Sequence, residues 1–234
     1  MHGAFMSSYT EAMREVLEER AAVLTKIAEA VQKQLEGAEG GHDWWHIVRV
    51  RTLARSIAEK EAADVYLCEM AALVHDIGDY KFTGGDEEVG PRMIREILAT
   101  SGVADNDSDL VIRIVETMSF KGAGVTDEMD TLEGKVVQDA DRLDALGAIG
   151  IGRAFSYGGF KVRPMHDPNV PPLLHGTKEE YKSRQSTTIN HFYEKLLLLK
   201  DRMKTATGRA MAEDRHAYME EFLARFNAEW AGEK

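Results

Sequence analysis

A histidine and an aspartate stand side by side in the segment LVHDIGDYK at residues 73–81. His75 and Asp76 end an apolar helical run, and Gly78 supplies a helix end directly after them. Adjacent side chains on a helix diverge by about 100°, so both can reach one ion only near the helix end. An imidazole nitrogen and a carboxylate oxygen are both good ligands of divalent metals. The doublet is compatible with a metal site, although a capping aspartate beside a buried histidine explains it equally well.

A second candidate group lies upstream, in the segment GGHDWWHIVRV at residues 40–50. His42 and His46 are four residues apart and Arg49 is three beyond His46, so one helix face can carry all three. Only one histidine is needed as a ligand. His46 is preferred because it lies inside a helix that must pack through its apolar neighbours, whereas His42 is near the helix start.

A third candidate group is acidic and lies in VVQDADRLDALGAIG, residues 136–150. Asp139 and Asp141 point about 200° apart on a helix, so at most one of them should face a metal. Asp141 and Asp144 are three residues apart and share a face. An aspartate in an apolar helical run is costly to bury unless it is paired or bound to metal. Spacing alone leaves open which of Asp139 and Asp141 faces the ion. We read Asp139 as the one that faces away, although a distorted helix would let the two exchange roles. We read Asp144 as a salt-bridge partner of the site rather than a ligand.

Helices must position these residues, because helical periodicity dominates the chain and strand-like alternation is nearly absent. We predict an all-α protein, a single compact domain over residues 1–234 with about eight or nine helices. Capping boxes at Ser8 and Thr177 predict two of the helix starts. The predicted helices span about 8–35, 43–60, 64–74, 87–100, 107–117, 131–155, 177–204 and 208–231. The segment 156–176 holds four of the five prolines, and we predict an ordered loop there that serves as a lid or a pocket wall.

Composition limits the partners that the chain can have. The 29 Lys and Arg residues against 40 Asp and Glu residues give a net charge of −11, which argues against binding to a nucleic-acid backbone. Any phosphate partner is therefore expected to be small and gripped locally or through a metal. One cysteine, Cys68, excludes an internal disulfide and suits a reducing compartment. The first residues do not resemble a signal peptide and no segment is apolar enough to span a membrane, so we expect a soluble, cytoplasmic protein without a membrane partner.

The three candidate groups together resemble a known motif set. HIVRV at residues 46–50, the doublet at 75–76 and ADRL at 140–143 are similar to the motifs of the HD-domain metal-dependent phosphohydrolases. The agreement covers residues 42 to about 150, which we take as the metal-site core; residues 156–231 complete the domain. The C-terminal segments INHFYEKLLLLKDRMKT and EFLARFNAEW resemble the small stand-alone bacterial HD hydrolases, of which a member is similar to a deoxynucleoside triphosphate pyrophosphohydrolase.

The resemblance implies roles for individual residues. The implied ligands of one divalent ion are His46, His75, Asp76 and Asp141. Asp79 is implied to be catalytic, and its spacing after the doublet places it within reach of a metal-bound water. Nitrogen and oxygen ligands accept Mn, Ni, Fe, Co or Mg, of which we favour Mn. Two-metal relatives in the same superfamily have extra histidines between the doublet and the distal aspartate, whereas residues 77–140 contain none, so the resemblance implies a mononuclear site.

Hydrolysis at phosphorus also requires cations near the developing negative charge. We predict catalytic parts for Arg49 and Lys81, although a structural salt bridge is the alternative for Arg49. The predicted substrate-binding residues are Ser119, Lys121, Lys161 and Arg163.

Three functions are compatible with this set of residues. The leading hypothesis is a mononuclear enzyme that acts on nucleotides and converts a (deoxy)nucleoside triphosphate to a monophosphate and pyrophosphate. A 5′-nucleotidase that releases phosphate from a nucleoside monophosphate would use the same ligands. A metal-dependent nucleotide sensor without turnover is the third possibility, and such a sensor would have no need for Asp79.

Overall fold

The computed structural model describes residues 2–37, 43–77, 88–118, 129–173 and 186–234, with side chains from residue 11 onward. Within these ranges the chain is helical and contains no strand, which confirms the all-α prediction. The helices are α1 (His2–Gln34), α2 (Trp44–Glu61), α3 (Val65–Val74), α4 (Val89–Ser101), α5 (Asp105–Met118), α6 (Leu132–Asp144), α7 (Gly147–Phe160), α8 (Thr188–Glu194) and α9 (Ala206–Trp230). Two 3₁₀ turns, Leu196–Leu198 and Lys200–Arg202, lie between α8 and α9.

Helix α3 is the central element of the core. Its sequence VYLCEMAALV is apolar on nearly every side, and its last seven residues, 68–74, are all buried. A helix of this kind must be surrounded by other elements. It packs against α1, α2, α5 and α6, and α2 in turn packs closely on α6. The doublet at 75–76 therefore lies at the C-terminal end of this buried helix, next to α2 and α6.

Polar caps fix where the site-bearing helices begin. Asp43 caps α2 by accepting a hydrogen bond from the backbone of His46 at 2.9 Å. Asp64 caps α3 by accepting hydrogen bonds from the amides of Tyr66 and Leu67. Thr131 caps α6 through a bond from the Gly134 amide at 3.1 Å. His46 thus lies in the first turn of α2, where the capping bond holds its backbone.

The predicted continuous helix over 131–155 is wrong, because the chain turns a corner between α6 and α7. Leu146 leaves the helical conformation, and Gly147 adopts a left-handed φ of +71°. Only glycine adopts this conformation at little cost. Leu143 and Leu146 are both buried at the corner. A straight helix could not bury both of them and also bring α7 back onto α9.

Three other predicted boundaries need correction. Helix α1 begins at His2, so Ser8 is not its N-cap. Helix α7 continues to Phe160, so the predicted loop over 156–176 begins only at residue 161. Of the predicted helix over 177–204, the described part is an α-helix only over Thr188–Glu194, because Thr187 is extended and Lys195 departs from helical geometry. The capping box at Thr177 lies outside the described residues.

The change from α8 to 3₁₀ turns has a packing reason. A 3₁₀ turn places residues three apart on one side, and Leu196 and Leu199 both point into the core. Met203 is buried beyond them.

Among the described helices, none is long and apolar enough to cross a membrane.

Candidate metal centre

Two imidazole rings from different helices meet at the end of α3. The Nε2 atoms of His46 and His75 are 3.2 Å apart, and the two rings are arranged edge to face. His46 is buried, with 1% of its side chain exposed, and His75 is nearly as well shielded.

Two carboxylates complete the cluster. Asp76 places one oxygen 3.4 Å from His46 Nε2 and the other 3.7 Å from His75 Nε2. Asp141 on α6 places one oxygen 3.4 Å and 3.8 Å from the same two nitrogens. The ligand atoms of His46, His75 and Asp141 lie within 4.8 Å of one another. The four residues that the resemblance implies as ligands are thus brought together.

The far nitrogen of each ring makes a hydrogen bond that fixes the tautomer. His75 Nδ1 donates to the carbonyl oxygen of Ala72 at 2.8 Å. His46 Nδ1 donates to Asp144 at 2.7 Å. With both Nδ1 atoms acting as donors, the Nε2 atoms are the ones directed at the shared centre. Two ring nitrogens that face each other between carboxylates favour a positive charge between them, either a proton or a metal ion.

The electrostatics of the cluster agree with this geometry. Burial lowers the pKa of His46, but hydrogen bonds to Asp141, Asp144 and Asp76 raise it to about 10. Partial burial raises the pKa of Asp141, yet His46 and His75 lower it to about 2. The Asp141 carboxylate therefore stays ionised and draws positive charge to the centre.

The donor set suits a divalent ion. Metal bonds of about 2.1 Å at right angles separate neighbouring ligand atoms by about 3 Å. The nitrogen–nitrogen and nitrogen–oxygen separations of 3.2–3.8 Å are slightly longer than this, so small side-chain movements would close them onto an ion. Two imidazoles and two carboxylates suit Mn, Fe, Co, Ni or Zn better than Ca.

The other acids of α6 have separate partners. Asp139 points away from the cluster, as predicted, and accepts hydrogen bonds from the Lys204 and Thr205 amides and the Thr205 hydroxyl at 2.8–3.0 Å. It thereby holds the N-terminus of α9. Asp144 lies behind His46 and is 2% exposed.

The remaining predicted site residues fall into two groups. Arg49 forms a two-point ion pair with Asp144, with Nε at 2.6 Å and Nη2 at 3.0 Å, which is the structural alternative that the sequence left open. Lys161 and Arg163 follow α7, where both cations lie over the Tyr157 ring and Lys161 also lies over Phe160. Four predicted residues, together with His42, lie outside the described ranges: Asp79, Lys81, Ser119 and Lys121.

One contact at the site was not foreseen from the sequence. Arg153 on α7 donates from Nη1 to Asp144 at 2.8 Å. Arg153 is the one charged residue in the α7 sequence GAIGIGRAFSYGGF, which is the signal that could have singled it out. Its partner could not be inferred, because that contact depends on the corner between α6 and α7.

Comparison with known proteins agrees with the fold. The family model of the HD domain matches residues 44–146, the span that contains all four clustered residues. The YpgQ protein of Bacillus subtilis is 41% identical over 203 residues, covering 86% of this chain and 91% of YpgQ. The chain therefore belongs to the HD-domain family, and its prediction as a metal-dependent phosphohydrolase of this superfamily is confirmed.

Solved structures extend the likeness over nearly the whole chain. A Lactobacillus plantarum protein has a TM-score of 0.78 and 38% identity, covering 90% of this chain and 97% of its own. An HD-superfamily hydrolase from Bacillus thuringiensis has a TM-score of 0.71 and 41% identity, covering 91% and 98%. The structure of YpgQ in complex with ADP has a TM-score of 0.72 and 36% identity, covering 90% and 96%.

Proposed function

We propose that this chain is a mononuclear, divalent-metal-dependent nucleotide hydrolase that cleaves a (deoxy)nucleoside triphosphate to the monophosphate and pyrophosphate. The observation that carries the metal-dependent part is the meeting of His46, His75, Asp76 and Asp141 at one centre. Support for a nucleotide comes from YpgQ, whose structure contains ADP. Among the described residues, the one group of three or more potential ligands within 4.8 Å of one another is His46, His75 and Asp141, which supports a single ion.

The four clustered residues are the proposed ligands. Four protein ligands leave two of the six positions of an octahedral ion open, enough for a water and a phosphate oxygen. A bound ion would supply Lewis-acid polarisation of that oxygen and a water of lowered pKa.

The surrounding side chains have proposed roles of their own. Asp144 accepts a hydrogen bond from the Nδ1–H of His46 and so keeps Nε2 directed at the centre. We assign Asp79 to orienting or deprotonating the attacking water, on the strength of its spacing after the doublet. The charge of Arg49 acts through Asp144, with which it is paired.

Substrate contacts are proposed from charge and position. Lys81, Ser119 and Lys121 are assigned to the phosphates by the sequence argument. Lys161 and Arg163 lie at the C-terminal end of α7 beside the half-buried Tyr157 ring and the exposed Phe160 ring, a setting that suits a phosphate together with a planar base.

A product assay tests the proposal. Metal-stripped protein is reloaded with Mn, Ni, Co, Fe or Mg and incubated with nucleoside tri- and monophosphates, and the products are resolved by chromatography. We expect triphosphate to give monophosphate and pyrophosphate, with at least a 100-fold loss of rate in Asp76→Ala. Asp109→Ala, which changes an exposed acid of α5, is the matched control and should keep full activity.

The other outcomes have distinct meanings. Phosphate release from monophosphates alone would replace the proposal with a 5′-nucleotidase. Nucleotide binding without turnover under every metal would favour the sensor. Asp79→Asn separates enzyme from sensor, because we expect it to keep metal and nucleotide affinity while abolishing hydrolysis.

A further inference from the structure

The two histidines of the cluster are oriented by different means. His75 bonds to a carbonyl of its own helix, so the backbone of α3 sets the direction of its ring. His46 bonds instead to a side chain from another helix, the carboxylate of Asp144 on α6. The direction of His46 Nε2 is therefore only as well defined as the position of that carboxylate.

Asp144 is held by two arginines. Its Oδ1 accepts from Arg49 Nε at 2.6 Å, and its Oδ2 accepts from Arg49 Nη2 at 3.0 Å and from Arg153 Nη1 at 2.8 Å. Oδ2 is also the atom that bonds His46. Burial raises the pKa of Asp144, but His46, Arg49 and Arg153 hold it well below its usual range. The carboxylate thus stays charged and accepts hydrogen bonds with both oxygens.

The two arginines differ in where they come from. Arg49 belongs to α2 and lies one turn beyond His46, so these two side chains move together. Arg153 belongs to α7, on the far side of the corner at Gly147. Arg153 therefore links Asp144 to a third helix, so that the position of the Asp144 carboxylate does not depend on its pair with α2 alone.

The geometry points to Arg153 as a positioning residue: we propose that it acts through Asp144 to set the direction of His46 Nε2, and so sets the affinity of the site for its metal. The inference rests on the proposed function, in which His46 is a ligand. Hydrogen-bond partners behind metal-binding histidines typically change metal affinity by 10- to 100-fold. Arg153 is one bond further away, so we expect the lower end of that range.

Metal binding tests the inference without any need for turnover. Metal-stripped wild-type, Arg153→Met and Arg153→Lys proteins are titrated with Mn²⁺, and free Mn²⁺ is read by electron paramagnetic resonance. We expect about 10-fold weaker binding in Arg153→Met. Arg153→Lys keeps the charge but not the planar group, so it should recover part of the affinity and remain at least about threefold weaker than wild type.

Arg51→Met is the matched control. Arg51 also pairs with a buried carboxylate, Glu69, at 2.9 Å, and 31% of its side chain is exposed against 21% for Arg153. Its pair does not contact His46, so this variant should lose stability without losing Mn²⁺ affinity. Circular dichroism of each variant checks that the helices are intact.

The outcomes separate this inference from the function on which it rests. Equal Mn²⁺ affinity in wild type and a folded Arg153→Met would overturn the role of Arg153 and leave the proposed hydrolase untouched. If Arg153→Met fails to fold, equal affinity in Arg153→Lys and wild type overturns it instead. A wild-type protein that binds none of the five metals used in the product assay would overturn both proposals.

Discussion

Three aspartates of α6 have the same side chain and three different environments. Asp141 faces the two imidazoles, Asp144 is enclosed by His46 and two arginines, and Asp139 binds the N-terminus of α9. Burial raises the pKa of Asp139 despite its hydrogen bonds from Lys204 and Thr205, whereas cations hold the pKa values of the other two down. The neighbours that helix geometry supplies, and not the residue type, decide what each acid does.

His191 on α8 gives a residue-level prediction about pH. Burial, reinforced by the charges of Lys195 and Arg163, lowers its pKa to about 3. The unfolded chain, with a pKa near 6.5, then binds the proton more tightly than the folded one does. Stability from this group is complete above about pH 6.5 and is lost as the pH falls toward 3, by roughly 2 kcal/mol at pH 5.

Urea unfolding of wild type and His191→Gln at pH 7 and pH 5 measures this contribution of His191 to the free energy of unfolding. We expect the variant to lose less stability than wild type between the two pH values, by about that amount. His216→Gln leaves His191 in place and should keep the wild-type difference. An unchanged pH dependence in His191→Gln would refute the assignment.

The candidate ligands could be predicted from the sequence, whereas the contact of Arg153 with Asp144, the residue behind His46, could not. His46, His75, Asp76 and Asp141 stand in a specific order on strongly patterned helices, so a motif was sufficient to nominate them. The pairing of Arg153 with Asp144 depends on a change of chain direction that local periodicity does not encode.

At the scale of elements, most helices were predicted to within a few residues, and two of the errors lie where tertiary contacts override helical propensity. The corner between α6 and α7 is one case and the 3₁₀ turns after α8 are another. In both, leucines that must enter the core displace a regular helix: Leu143 and Leu146 at the corner, Leu196 and Leu199 at the turns.

Gly150 and Gly152 of α7 give a prediction at this scale. A Cβ on Gly150 would lie 2.3 Å from the carbonyl oxygen of Ala145, whereas a Cβ on Gly152 would meet nothing within 4 Å. We expect Gly150→Ala to destabilise the protein by about 1–3 kcal/mol, because backbone must move. Gly152→Ala should stabilise it by roughly 0.5–1 kcal/mol through lower chain entropy.

Urea unfolding of the two variants measures whether each substitution raises or lowers the free energy of unfolding. Equal effects at both positions would mean that α7 is not pressed against the corner. Because the clash would shift the start of α7, Gly150→Ala should also weaken Mn²⁺ binding through Arg153, whereas Gly152→Ala should not.

At the scale of the whole molecule, the candidate ligands come from three helical segments far apart in sequence. His46 lies on α2, the doublet follows α3 and Asp141 lies on α6. An unfolded chain does not hold these groups together, so metal binding selects the folded state.

Thermal unfolding should show this coupling. At a metal concentration about 100 times the dissociation constant, we expect about 2.7 kcal/mol of added stability, or roughly 5–10 °C in Tm for a chain of this size. Asp76→Ala should abolish most of the shift, while Asp109→Ala should keep it. A shift of the same size in Asp76→Ala would indicate that the ion binds elsewhere.

The four clustered side chains differ sharply in their access to water. His46 and His75 are 1% and 3% exposed and Asp76 is 12% exposed, whereas 42% of Asp141 is exposed. We therefore expect a metal ion to enter and leave the centre past the Asp141 side chain. Swinging one carboxylate aside is a small local motion, much faster than separating packed helices. A chelator should consequently remove the ion at a rate set by the motion of that side chain, which is faster than the rate at which the protein unfolds.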